Sequence, residues 1–162
     1  MCFMSLFKKK TPKTWTFGDM PVVKWYANVK SKYDLETVCK IILTEILHLP
    51  NVELQVVTND RLVKKFDTKD VEMQALLDGY PAMHRYILHL RGKLQIDILE
   101  IISHEMVHLK QYETGNLRLE GTTFIWKGQK YENTEYWDRP WEKEARNEQY
   151  NIEKQVKKLY YE

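Results

Sequence analysis

Two histidines four residues apart, with a glutamate directly after the first, give His104-Glu105-Met106-Val107-His108 a definite chemical reading. On a helix both imidazoles fall on one face, one turn apart. Both can then reach a single zinc ion at about 2.0–2.1 Å. Glu105 would project beside the metal, where it can act as the catalytic general base on a zinc-held water. Neutral histidines leave charge on the ion, and the ion lowers the pKa of its water to about 7. The glutamate completes activation and can pass the proton to the leaving group. Five residues of this kind also arise by chance. What strengthens them here is their setting: a strongly patterned helix, a strand before it and a glutamate-bearing helix after it.

A catalytic zinc of this type takes three protein ligands and keeps one position open. No histidine follows His108; the other three are His48, His84 and His89. The third ligand is therefore expected from an acidic residue of the last helix, Glu142 or Glu144. Ala145, Gln149, Ile152, Val156 and Leu159 define the inward face of that helix. Glu142 lies roughly 60° from the centre of the face and Glu144 roughly 100° away on the other side. Glu142 is the better inward carboxylate. Glu144 is the alternative, with complementing the helix dipole as its other use.

These residues need elements to hold them. Asp34 caps an expected helix that runs to His48, with Leu35, Val38, Ile42 and Ile46 at helical spacing and Pro50 beyond the end. Trp15, Phe17, Val22, Val23, Trp25 and Tyr26 suggest a short strand and turn before it, and Val52–Thr58 reads as a strand. A polar stretch follows, with a possible helical turn near Val71–Leu77 and a break at Gly79-Tyr80-Pro81. Met83–Leu90 alternates, which predicts a strand with Tyr86, Leu88 and Leu90 on one face. The metal motif sits in a helix over Leu94–Glu113, stopped by Gly115. A hairpin is expected next, with Leu119–Trp126 and Gln129–Tyr131 around Lys127-Gly128. Asp138 is a candidate cap for a final helix over Pro140–Tyr160.

The bulk properties set the class. With 162 residues, 43% hydrophobic and 12% aromatic, the chain is long and apolar enough for one folded domain over 14–162. Residues 1–13 read as a flexible basic tail carrying Lys8-Lys9-Lys10 and Lys13. A net charge of +2 gives no strong nucleic-acid signal, and no run is long enough to span a membrane. Cys2 and Cys39 are the only cysteines and suggest no disulfide framework, which fits an intracellular, cytoplasmic protein.

The stretch Ser103-His104-Glu105-Met106-Val107-His108-Leu109-Lys110-Gln111 resembles the active helix of the zincin metallopeptidases. The Glu-x-x-Ala of Glu142 and Ala145 is similar to the third-ligand segment of their gluzincin branch. The tail through Trp126-Lys127-Gly128, Tyr136-Trp137 and Pro140-Trp141-Glu142 resembles small metallopeptidase-like proteins of bacteria and phages, so the likeness covers about the last 80 residues. It implies a small α+β zincin-like fold, with the active helix packed on a mixed sheet and a long C-terminal helix. It also implies zinc as cofactor and a peptide or protein substrate. Strand Met83–Leu90 would then lie along the cleft, either as an edge that holds an extended peptide or as a core strand. Some gluzincins carry an acidic residue where this chain has Arg146, so Glu100, Glu148 or a backbone carbonyl would have to support the histidines instead. Tyr131, Tyr136, Arg139 and His84 are candidate oxyanion donors. Tyr112 reads as core packing or site lining, and Trp126, Tyr136, Trp137 and Trp141 as core and cleft wall. A competing expectation is a non-enzymatic assembly component, phage-encoded and found in host cytoplasm or virion, that retains the fold.

Overall fold

The computed structural model describes residues 21–161. The expected tail over 1–13, with Cys2, and the start of the expected first strand at Trp15 and Phe17 lie outside them. The chain is α+β. Strand β1 (Val22–Trp25), helix α1 (Leu35–Ile41), strand β2 (Glu53–Thr58), the short helix α2 (Asp60–Lys64), and strands β3 (Ala75–Tyr80) and β4 (Arg85–Leu90) form the first part. Then follow helix α3 (Ile98–Glu113), strands β5 (Leu117–Glu120), β6 (Thr123–Trp126) and β7 (Gln129–Tyr131), and helix α4 (Pro140–Tyr161).

The first four strands make a mixed sheet in the order β1-β2-β4-β3. β1, β2 and β4 run parallel, and β3 runs antiparallel to β4 on the edge. Alternation works as expected along β4: Tyr86, Leu88 and Leu90 are buried with Leu54 and Val56 of β2. They join Val38, Ile42, Ile102, Met106 and Leu109 in one core. α3 packs along α4 and also against β3. The smaller β5-β6-β7 sheet closes over a second cluster of Leu117, Trp126 and Trp141, and Tyr112 of α3 packs against both cores.

Local signals explain most element ends. Asp34 caps α1: its carboxylate accepts from the Thr37 amide and hydroxyl. The helix passes into a π-helical turn at Ile42–Ile46 and ends before His48, which has φ +56°. α3 starts at Ile98, not Leu94, because Asp97 caps it through the Leu99 amide. Gly115 at φ +75° ends it as expected. Lys127 and Gly128 both have positive φ, as a two-residue hairpin requires. The expected strand Leu119–Trp126 is instead two strands, split where Gly121 turns the chain at φ +61°. The Glu142 and Lys143 amides of α4 donate to the Arg139 carbonyl and Asp138 lies in the preceding 3-10 turn, so the cap position is Arg139 and not Asp138.

Two differences bear on function. Residues near Val71–Leu77 form no helical turn; from Ala75 onward they are strand, paired with β4 from Ala75↔Leu90 to Tyr80↔Arg85. Gly79, read as a break, sits inside that strand because the Tyr86 ring occupies the space where a side chain would go. Consequently β4 is interior and β3 is one of the two edge strands among the described residues, so of the two alternatives the core strand holds for Arg85–Leu90, while Met83 ends a 3-10 turn before it. Among the described residues, no helix is long and apolar enough to cross a membrane.

Candidate metal centre

α3 delivers His104 and His108 one turn apart, with ring centroids 4.9 Å from each other. Burial of Ile98, Leu99, Ile102 and Met106 holds the helix in the core and fixes which way the pair points. The first turn of α4 brings in Glu142, a buried carboxylate. Glu142 Oε2 lies 3.1 Å from His104 Nε2 and 3.3 Å from His108 Nε2, and the two Nε2 atoms are 3.2 Å apart. Three ligands at about 2.0–2.1 Å from a tetrahedral ion stand about 3.3–3.4 Å from one another. The three atoms therefore outline one face of such a tetrahedron.

The outer partners decide the protonation of that face. His104 Nδ1 is 2.6 Å from Gln149 Oε1, and Gln149 Nε2 donates to the Glu100 carboxylate at 3.2 Å. His108 Nδ1 is 2.8 Å from Gln111 Oε1, and Gln111 Nε2 donates to the Trp141 carbonyl at 3.0 Å and to Glu144 at 3.2 Å. Glu100 and Trp141 offer acceptors there, so each amide must present its oxygen to its histidine. Both Nδ1 atoms thus carry hydrogen. In the neutral imidazoles both Nε2 lone pairs then converge on a carboxylate oxygen. Three acceptors in mutual contact repel unless a cation or a proton lies between them. Burial alone would lower the His108 pKa, but Glu142 reverses this and pushes it up to about 9. Burial opposes the charge on Glu142 in the same way, and the two histidines hold it well below the carboxylate range.

No family model, curated protein or solved structure matches the chain.

Glu105 forms a second potential ligand group with His104 and His108, their ligand atoms within 4.8 Å of one another, but it makes no ion pair with either histidine, whereas Glu142 touches both. Burial raises its pKa, with the histidines pulling the other way. A carboxylate of raised basicity beside a cation site is suited to accept a proton. The residues around it form a cleft lined by β3 through Ala75, Leu76 and Leu77, and by Tyr112, Tyr136, Arg139 and Trp141. Burial raises Tyr136, as do the nearby Glu142 and Glu105 carboxylates. Burial, then Glu105 and Glu142, push Tyr112 up to about 12. Both phenols stay protonated and can donate.

The other sequence candidates separate cleanly. Glu144 supports Gln111 and does not touch the histidines. Glu100 acts through Gln149, the Trp141 carbonyl through Gln111, and Glu148 pairs with Lys110 at 3.7 Å. Tyr131 packs edge-on against Trp141, and His84 pairs with Glu113, so neither lines the cleft. Trp126 is core, Trp141 is buried and also forms cleft wall with Tyr136, and Trp137 lines the adjoining pocket, where the Arg146 guanidinium carbon lies 4.8 Å from its ring centroid. The orienting roles of Gln111 and Gln149 were not read from the sequence. Their signal was present: Gln111 is three residues after His108, and Gln149 is a polar residue on an otherwise apolar inward face.

Proposed function

We propose that this chain is a zinc-dependent hydrolase that cleaves peptide bonds, with His104, His108 and Glu142 as metal ligands and Glu105 as general base. The observation that carries the reading is the contact of His104 Nε2, His108 Nε2 and Glu142 Oε2 at 3.1–3.3 Å, with both Nδ1 atoms committed as donors. Zinc bound there would polarise a substrate carbonyl and acidify a water. Glu105 would take the proton from the attacking water and deliver it to the departing amine. Tyr136 lines the cleft beside Glu142 and would donate to the developing oxyanion. β3, an edge strand among the described residues, would offer backbone groups to an extended chain by strand addition, which favours a peptide over a compact substrate.

The test is metal analysis of the purified chain followed by digestion of a mixed peptide library. One zinc per chain with cleavage that Glu105→Gln abolishes supports the reading. Bound zinc with no peptide cut would turn it to a non-enzymatic assembly role, and no zinc affinity would remove it altogether.

A further inference from the structure

Most of the cleft wall is apolar, with Phe66, Met73, Leu77, Leu117 and Phe124 along it. Besides the histidines, Arg139 is the one cationic side chain that lines it among the described residues. Its guanidinium carbon lies 5.8 Å from the Phe124 ring centroid and 5.9 Å from that of Tyr136. Nε donates to the Thr134 carbonyl at 3.0 Å. Two rings and one hydrogen bond fix the plane of the fork, yet all three partners are neutral. No carboxylate among the described residues pairs with Arg139. Arg91 shows the contrast: its guanidinium is saturated by Asp67, Glu72 and the Met73 carbonyl. The carboxylates of the Arg139 cleft, Glu105 and Glu142, belong to the histidine cluster.

A planar guanidinium held in place, with no hydrogen-bond partner for its terminal nitrogens among the described residues, matches one ligand chemistry best, a carboxylate taken bidentately. We propose that Arg139 binds a carboxylate of the substrate, so that the cleft selects peptides bearing a free C-terminus or an acidic side chain beside the bond that is cut. This rests on the peptidase reading above and names its substrate class.

The test uses three ligands on the zinc-loaded full chain: a Leu-Phe dipeptide capped with a succinyl hydroxamate, its C-terminal carboxamide, and the matching Leu-Glu carboxamide. The hydroxamate anchors each ligand on the metal, so binding is read by calorimetry without turnover. The free acid or the Leu-Glu compound should bind about 10- to 100-fold more tightly than the Leu-Phe carboxamide. Which of the two gains tells a chain terminus from a side chain. Arg139→Gln should erase the gap and Arg139→Lys should keep part of it, with melting temperature and zinc content checked in both. Equal binding of all three compounds by the unaltered protein overturns the proposal, as does a gap that survives Arg139→Gln. An arginine that served only the oxyanion would give such equal binding. If none of the three binds, the zinc site itself is wrong and this proposal falls with it.

Discussion

Gln149 Oε1 lies 2.6 Å from His104 Nδ1, so the last helix sets the tautomer of a side chain 45 residues earlier. Outer partners of this kind are commonly worth 10- to 100-fold in metal affinity. Gln149→Leu keeps the volume and removes the acceptor. Its zinc dissociation constant should rise by about 10- to 100-fold, read by competition with a chromophoric chelator. Unchanged affinity would show that the amide orients nothing.

The two first-turn glutamates of α4 should behave differently. Glu142→Ala removes an atom in contact with both histidines. Its loss of zinc affinity should exceed about 100-fold, beyond what an outer partner supplies. Glu144→Gln disturbs only the amide that holds His108 and should retain the metal. Equal losses in the two variants would contradict the assignment.

Glu105→Gln should bind zinc with unchanged stoichiometry while peptide hydrolysis falls by about 10²–10⁴-fold, the usual weight of a general base. A variant that lost both together would make Glu105 a ligand.

Stability should depend on pH in opposite ways with and without metal. In the metal-free protein, Glu142 raises His108 from 6.5 to about 9. That contribution is complete below about pH 6.5 and is lost as pH rises toward 9. Glu142 is held below its ordinary 4.5, so its contribution is present above that value and lost on acidification. The metal-free melting temperature should therefore peak between these limits. Zinc needs the same atoms deprotonated, so the melting increment on adding zinc should grow from about pH 6 to about pH 9. An increment independent of pH would rule the linkage out.

Gly79 tests the edge strand. A Cβ there would lie 2.5 and 2.7 Å from Tyr86 Cδ1 and Cε1. The ring cannot easily move away, since it is buried and its hydroxyl donates to Glu113 at 2.5 Å. Gly79→Ala should cost about 1–3 kcal/mol in chemical denaturation. An unchanged midpoint would mean that the ring has room.

Local pattern carried a good part of this molecule. The apolar residues of α3 repeat with the helical period, and that repeat alone puts His104 beside His108. The face of α4 defined by Ala145, Ile152 and Val156 also separates Glu142 from Glu144 by angle. The Asp34 cap, Gly115 and the Lys127-Gly128 turn are signals contained in a few neighbouring residues. β3 is not legible from local pattern because its state depends on pairing with β4 and its glycine on a ring seven residues away. The amides of Gln111 and Gln149 escaped for a related reason, since an amide acquires direction only from the acceptor it meets across the fold.

The sequence by itself determined that two imidazoles share one helix face with a glutamate beside them, because helical periodicity acts over four residues. Only the tertiary structure decided that Glu142 closes the triangle, that two glutamines fix the imidazole tautomers, and that β3 is an edge strand among the described residues. Those depend on packing α4 across α3 and on the order of strands, where atoms distant in the chain come within hydrogen-bonding distance.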